Sequence, residues 1–385
     1  MERTLEQAAA ALREAIAAAS RGLVERRGLV ELVGLAAVAG EHMLVVGPPG
    51  TAKSEAVRRI ASALGERYFE YLLGRFTEPS ELFGPVDLNK LKQGSVETDV
   101  TGMLPEAEIA FLDEIFLGST AILNTLLGIL NERRFRRGRT PLVCPLRVCV
   151  AATNTLPDDE ALAAFADRFL VRVFIAPIAD PFLEELLEGG WTLGQVAAPA
   201  PAARGDLEVV ARAARSCDVA AVRPHLARAI RLLREAGVAL TDRRLVKLQQ
   251  LIAAAAALAG RTRATEADLW PIIVAVPTAE GQAQAREVLA DLLAAADNAA
   301  TPFAAAEASQ GPLARARLLE GAGARLLANR PEPEPEPSDG DPALRSWRLA
   351  LEGLARDIDA GFSADQLPPG LVTLRAELSA LLSPP

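Results

Sequence analysis

The octapeptide Gly47-Pro48-Pro49-Gly50-Thr51-Ala52-Lys53-Ser54 lies between an apolar run, Met43-Leu44-Val45-Val46, and an amphipathic segment from Glu55 to Leu64. The run has the length and branching of a buried strand, while Val57, Ile60, Ala61 and Leu64 recur at helical spacing. Strand, glycine-rich turn and helix in that order read as a phosphate-binding loop on an α/β sheet. Glycines let the backbone curl until successive N–H groups converge, and the following helix offers its positive end to anionic oxygens. In that geometry Lys53 reaches the β and γ phosphates and Ser54 ligates Mg2+. The usual G-x-x-x-x-G-K-[ST] pattern has glycine where this chain has Ala52. Alanine keeps the N–H but adds a Cβ, so a negative φ is expected there.

A second signal lies farther along, where Ile109-Ala110-Phe111-Leu112 runs into two adjacent carboxylates, Asp113 and Glu114. Ligands of open α/β sheets sit at the carboxyl ends of the strands, so this strand delivers both side chains to the crevice of the loop. It resembles a Walker B strand, in which Asp113 would hold the Mg2+ complex and Glu114 would orient and polarise an attacking water.

Composition narrows the class. Of 385 residues, 50% are apolar and 24% charged, which is the balance of a globular protein with room for two or three domains. No apolar stretch approaches the roughly 18 residues of a membrane span, and Met1-Glu2-Arg3 lacks an apolar signal core. Cys144, Cys149 and Cys217 have neither metal-ligand spacing nor an even count and read as reduced core thiols of a cytoplasmic protein. Two histidines exclude a histidine-rich metal site. A net charge of −9 argues against broad nucleic-acid binding. One basic run stands apart: Arg133, Arg134, Arg136, Arg137 and Arg139 around Phe135 and Gly138. It reads as a subunit-interface or pore hairpin in preference to a DNA-reading patch, because the rest of the chain is acidic.

Two helices precede the first strand. After the loop helix come strands at Tyr68–Leu73, Ile109–Glu114, Leu146–Ala152 and Val171–Ile175, with a short proline-led helix opening at Thr77–Glu81 and a hairpin expected over Val86–Met103. A helix at 119–132 places Ile122, Leu126, Ile129 and Leu130 inward. Five strands alternating with helices point to a doubly wound, mostly parallel sheet. From Asp206 to about 296 the pattern is helical, with Asp242 as N-cap of a helix Arg243–Leu258, Gly260 as its stop, and Thr265 and Asp268 at capping-box spacing. The repeat Pro331–Pro337 is expected to form an extended spacer of about 3.1 Å per residue. Two short helices, 343–359 and 371–382, follow it. The expected organisation is 1–180 α/β core with N-terminal helices, 181–296 helical lid with its preceding linker, 297–330 helical connector, 331–342 Pro/Glu linker and 343–385 C-terminal helical segment.

Taken together, these motifs resemble the AAA+ ATPases and, within them, the MoxR family and its RavA branch. The resemblance rests on residues 47–54, on Phe76-Thr77-Glu78-Pro79-Ser80-Glu81-Leu82-Phe83-Gly84-Pro85, and on Leu104-Pro105-Glu106-Ala107-Glu108 leading into the acidic strand. Ile122–Leu127 with Asn131-Glu132-Arg133, Ala151-Ala152-Thr153-Asn154 and Ala166-Asp167-Arg168-Phe169 complete it, over residues 25–280. RavA-like proteins commonly carry alanine before the loop lysine, as at Ala52. The resemblance implies that Asn154 is the sensor 1 residue. It implies that Arg168 is an arginine finger donated to a neighbouring subunit, with Arg133 and Arg134 as rivals, and that Arg243 is sensor 2, with Arg244 as its rival. It also makes residues 86–103 the helix-2 insertion near a ring pore and the arginine-rich turn the pre-sensor hairpin. The RavA branch carries a β-rich partner-binding domain, for which residues 297–385 show no pattern.

What the resemblance implies is Mg2+-dependent ATP hydrolysis by a homo-hexamer, driving chaperone-like remodelling or maturation of an unidentified protein client, metal loading included, beside a von Willebrand factor A (vWA) protein. Preference for ATP over GTP is implied in the same way. Two alternatives stand: a nucleic-acid-directed AAA+ motor, which lacks a zinc-finger or helix-turn-helix reader here, and a nucleotide-switched scaffold that barely hydrolyses.

Overall fold

The computed structural model describes residues 3–137, 140–178, 183–193, 205–294, 298–311, 314–331, 342–361, 367 and 369–382. Along the chain, α1 (Leu5–Ser20) and α2 (Arg27–Ala39) lead into β1 (Met43–Val46), α3 (Lys53–Leu64), β2 (Tyr68–Leu72), α4 (Pro79–Phe83), α5 (Leu88–Lys92) and β3 (Ile109–Asp113). Then come α6 (Thr120–Glu132), β4 (Arg134–Arg137), β5 (Thr140–Val143), β6 (Val148–Thr153), α7 (Glu160–Ala166) and β7 (Val171–Phe174). Eleven further helices complete the described elements of this kind: α8 (Leu183–Leu193), α9 (Asp206–Arg215), α10 (Arg223–Glu235), α11 (Asp242–Leu258), α12 (Pro271–Val274), α13 (Ala279–Val288), α14 (Ala290–Leu293), α15 (Pro302–Gln310), α16 (Ala314–Ala328), α17 (Pro342–Gly361) and α18 (Pro369–Leu382). The chain divides into two compact units, Met1–Pro177 with Val196–Ser309, and Ile178–Gln195 with Gln310–Pro385.

In the first unit the five strands form one sheet in the order β2-β3-β6-β1-β7, and every pairing is parallel. Both faces of the central strands β1, β3 and β6 are buried, so these strands read as apolar runs, whereas the edge strand β2 is only partly covered. Leu44, Val46, Ala110, Leu112, Cys149 and Ala151 share one core with Ile122, Leu126 and Ile129 of α6. By the period-two alternation of a strand, Met43, Val45, Ile109, Phe111, Val148 and Val150 face the other way, and all are buried. Helices α2 and α3 pack on β6 and β3. The result is the α/β AAA+ architecture, with the strands' carboxyl ends gathered along one edge.

Several local expectations are revised. The Val86–Met103 segment is not a two-stranded hairpin: it holds the short helix α5, capped by Asp87, and is closed by one antiparallel bridge between Val86 and Thr98. Gly84 permits the return of this segment, because its φ is +99° and a Cβ there would stand 1.8 Å from the Asp99 carbonyl oxygen. Helix α11 starts at Asp242, with Thr241 as N-cap: its hydroxyl accepts from the Arg244 N–H. A β-region φ and ψ at Thr241 is what a cap requires, and it leaves Asp242 in the first turn, where its charge suits the helix dipole. The Thr265–Asp268 capping box is present, on a 3-10 turn. Cys144 and Cys149 are free and buried, but Cys217 is only half-buried.

In the second unit, α16, α17 and α18 pack pairwise around Leu351, Leu354, Ile358, Leu371, Leu374 and Leu378, with Leu319 and Leu326 against them. The first C-terminal helix is therefore longer than expected, 20 residues. The Trp347 indole N–H donates to the Leu326 carbonyl at 2.7 Å. Residues 332–337 of the proline–glutamate repeat lie outside the described residues. Among the described residues no helix is long and apolar enough to cross a membrane.

Candidate nucleotide site

Gly47 follows β1 directly, and its N–H extends the ladder to the Thr153 carbonyl of β6 at 3.0 Å. A Cβ at Gly47 would stand 2.4 Å from the Ile175 carbonyl oxygen, so only glycine fits where the loop leaves the sheet beside β7. The loop then exposes Pro49 and Gly50, with Gly50 at φ +76°. The Thr51 hydroxyl donates back to the Pro48 carbonyl at 2.9 Å. Ala52 does not have the expected negative φ: it is left-handed, at φ +58° and ψ +27°. The helix entry demands this turn, and the Cβ is tolerated because Ala52 is exposed; the strain is about 1–2 kcal/mol.

Lys53 begins α3 and is 6% exposed. Its Nζ donates to the carbonyls of Gly47 at 2.8 Å and Pro48 at 2.9 Å, which holds the ammonium inside the curl of the loop. Burial pulls its pKa down, opposed by the charges of Asp113 and Glu114. Ser54 follows it, half-buried in the first turn of α3.

The register sets the depth of the other groups. Leu112 pairs with Ala151 and Val46 with Thr153, so the ends of β3, β1 and β6 lie side by side. Asp113 closes β3 and accepts the Glu114 N–H at 3.0 Å. Glu114 is left-handed, at φ +51°, which turns the chain sharply off the strand. Its Oε1 accepts from Asn154 Nδ2 at 2.7 Å. Loop, acidic pair and Asn154 are thus brought together, as the strand-end argument expects.

The remaining predicted residues, Arg168 and Arg243, lie near one another. The Arg168 guanidinium donates to the Ala164 carbonyl at 2.8 Å, and its Nε is buried without a hydrogen-bond partner. Arg243 donates to the Asn131 side chain on α6. Burial lowers the Arg243 pKa, and the Arg168 charge lowers it further, so the two guanidinia share one neighbourhood. Two of their three rivals, Arg244 and Arg133, are committed to the fold, whereas Arg134 is exposed. Arg244 is 2% exposed and donates to Asp167, Phe169, Leu170 and Ala275. Arg133 turns inward to His42, Leu130 and Gly40.

Arg137 ties the β4–β5 hairpin to the Gly84 carbonyl at 3.1 Å, and Phe135 is buried against Phe83 with ring centroids 5.7 Å apart. Arg134 and Arg136 stay exposed; Gly138 and Arg139 lie outside the described residues.

One contributor was not legible. Arg26 is 6% exposed, and its guanidinium donates to the Thr51 carbonyl of the loop at 2.8 Å and to the Ala176 carbonyl beyond β7 at 3.0 Å. Nothing marks it in the sequence except its place just before a helix.

Comparison with known proteins places this geometry. The family model for the MoxR domain of MoxR–vWA–β-propeller ternary systems matches residues 10–207, more than half of the chain. The chain belongs to the MoxR family of AAA+ ATPases. Among relatives of this MoxR chain, the uncharacterized protein MJ0812 of Methanocaldococcus jannaschii is 35% identical over 249 residues, spanning 64% of this chain and 66% of its own length. MJ0079 of the same organism is 43% identical over 156 residues, 40% of this chain and 41% of its own. Chaperone MoxR1 of Mycobacterium tuberculosis is 26% identical over 166 residues, 42% of this chain and 43% of its own. The chain thus spans less than two thirds of these relatives. A crystal structure of a candidate ATPase from Cytophaga hutchinsonii superposes with a TM-score of 0.59 at 17% identity, over 75% of this chain and 94% of that one, a likeness of fold.

Proposed function

We infer that this MoxR-family chain hydrolyses ATP with Mg2+ and uses the reaction to remodel a client protein complex. The observation that carries the reading is the Asn154–Glu114 hydrogen bond at the strand edge that holds Lys53. A carboxylate oriented by an amide beside a buried ammonium is a hydrolytic arrangement, and a scaffold that only binds nucleotide has no use for it.

The residues present fit nucleotide and metal. A glycine-rich curl opens a helix of 12 residues, its lysine points into the curl, and Asp113 and Glu114 balance that charge. The loop N–H groups and Lys53 would hold the phosphates, with Ser54 and Asp113 holding Mg2+, whose charge screens the phosphate oxygens. Glu114 would accept the proton of the attacking water, and Asn154 would keep its carboxylate aimed. Arg168 would serve as the finger for the nucleotide of an adjacent subunit, with Arg243 near it as sensor 2, which makes a ring, a hexamer in the reading proposed here, necessary for full activity.

The matched family model is described by its ternary systems with vWA and β-propeller proteins. A vWA protein is accordingly the proposed partner, and maturation or metal loading of a complex in the cytoplasm the proposed process. The RavA-like branch is proposed on the alanine before Lys53. Phosphate release measured across protein concentration, for wild type, Lys53→Ala, Glu114→Gln and Arg168→Ala, tests the reading. Activity per subunit that rises with concentration and is lost in all three variants supports it. Concentration-independent turnover with full activity in Arg168→Ala sinks the shared site.

A further inference from the structure

Arg26 stands at the meeting point of three segments. It is the N-cap residue of α2, with no side-chain cap of its own, and it follows Glu25, a left-handed residue at φ +53°. Its Nε and Nη2 bridge the loop carbonyl of Thr51 and the carbonyl of Ala176, where the chain leaves β7. Nη1 donates to the Glu25 carbonyl at 2.8 Å. The carboxylate of Glu307, from α15, packs on the first turn of α2, so closely that a Cβ on Gly28 would lie 2.4 Å from its Oε2. Burial pulls the Arg26 pKa down, while the charges of Glu25 and Glu307 act against that pull.

The consequence for the loop is geometric. In a trans peptide the C=O and the following N–H point in opposite directions. Holding the Thr51 carbonyl toward Arg26 therefore aims the Ala52 N–H away from Arg26. Ala52 is the strained residue of the loop, left-handed and carrying a Cβ, so this peptide needs an external anchor. A planar, always-charged fork suits the task, since it can hold two carbonyls at fixed separation where a lysine ammonium cannot.

We propose that Arg26 is a positioning residue for nucleotide binding: it fixes the Thr51–Ala52 peptide so that the Ala52 N–H faces the phosphates, and it ties the loop to the exit of β7. The proposal rests on the phosphate-loop reading of residues 47–54. It assigns Arg26 no contact with nucleotide; its effect passes through Thr51.

The test is an equilibrium titration of the full chain with N-methylanthraniloyl-ATP and Mg2+, paired with kcat and KM for ATP, for wild type, Arg26→Lys, Arg26→Ala, Lys53→Ala and Arg13→Ala. Arg13 is the control, because it too donates to one distant carbonyl, that of Leu258 at 2.6 Å, but not to the loop. Lys53→Ala tests the underlying reading by itself: if it binds like wild type, that reading fails whatever Arg26 does. With that reading intact, Arg26→Lys and Arg26→Ala should weaken binding about tenfold or more, while Arg13→Ala matches wild type. Arg26→Lys should raise KM and leave kcat within about threefold of wild type, the signature of lost ground-state positioning. A folded Arg26 variant with wild-type affinity overturns the proposal. So does failure of both Arg26 variants to fold, which makes the residue structural, or a loss in kcat with KM unchanged.

Discussion

Asp167 Oδ1 receives the Nε of Arg244 at 2.7 Å, which joins the turn after α7 to the first turn of α11. Arg244 also donates to the carbonyls of Phe169, Leu170 and Ala275, so its removal takes a donor from four acceptors, of which Asp167 keeps Thr241 and Phe169 keeps Arg172. Arg168 is the residue next to Asp167, and the position of its guanidinium is thereby coupled to α11. Arg244→Ala is expected to cost about 3–5 kcal/mol of stability. Arg243→Ala, whose guanidinium is partly exposed, should cost about 1 kcal/mol or less. Denaturant unfolding of both variants separates them, and equal losses would contradict the division into a structural and an available arginine.

The Asn154–Glu114 contact predicts a non-additive pair. Glu114→Gln should lower kcat by about 10²-fold or more while nucleotide still binds. Asn154→Ala should produce a smaller loss, and adding it to Glu114→Gln should cost little more, because the amide acts through the carboxylate. A double variant whose kcat falls by the product of the single losses would mean that Asn154 acts on the reaction independently of Glu114.

The strands and the three motifs at their ends were legible because each depends on a local pattern: an apolar run of the right length, then glycine, a carboxylate pair or asparagine. What escaped was set by partners distant in sequence. Arg26 becomes part of the site only when the fold brings Thr51 and Ala176 to it, across 25 and 150 residues. The inward turn of Arg133 depends on His42 and Gly40, and the commitment of Arg244 on Asp167. Thr241 outcompeted Asp242 as cap because either fits the local pattern, and one residue of register decides. The α5 helix within 86–103 is only five residues, too short for its periodicity to stand out.

Two buried glutamates make stability depend on pH. Glu31, on α2, accepts the Ala304 N–H at 2.8 Å at the start of α15, and burial pushes its pKa up to about 8. Glu307, on α15, lies against the first turn of α2 and is pushed up to about 7, again by burial first and then by Glu25, with Arg26 and Arg286 opposing. Glu307 adds to the rise at Glu31, and Arg27 opposes it. Both folded-state values exceed the unfolded ones, so the stability they contribute is complete below the ordinary glutamate range and is lost as pH rises through neutrality. Glu31→Gln keeps the acceptor for Ala304 and cannot ionise. Its melting temperature relative to wild type should rise between about pH 5 and pH 9. A relative melting temperature that falls over that interval would reverse the assigned sign.

Ala52 offers a test of the loop that does not depend on hydrolysis. At φ +58° an alanine is strained and a glycine is not. Relief of that strain, about 1–2 kcal/mol, is set against the extra freedom a glycine gives the unfolded chain, about 0.4–1 kcal/mol. Ala52→Gly should therefore lie between neutral and about 1.6 kcal/mol more stable, in the reverse of what glycine does near an ordinary helix start. Ala52→Val, with a branched side chain in the left-handed region, should destabilise by more than any relief that glycine brings. Both substitutions leave the backbone N–H in place, so the glycine variant should bind ATP as wild type does. Denaturant unfolding of the two variants measures the difference: a glycine variant less stable than wild type by more than about 1 kcal/mol would mean that Ala52 occupies the right-handed region after all.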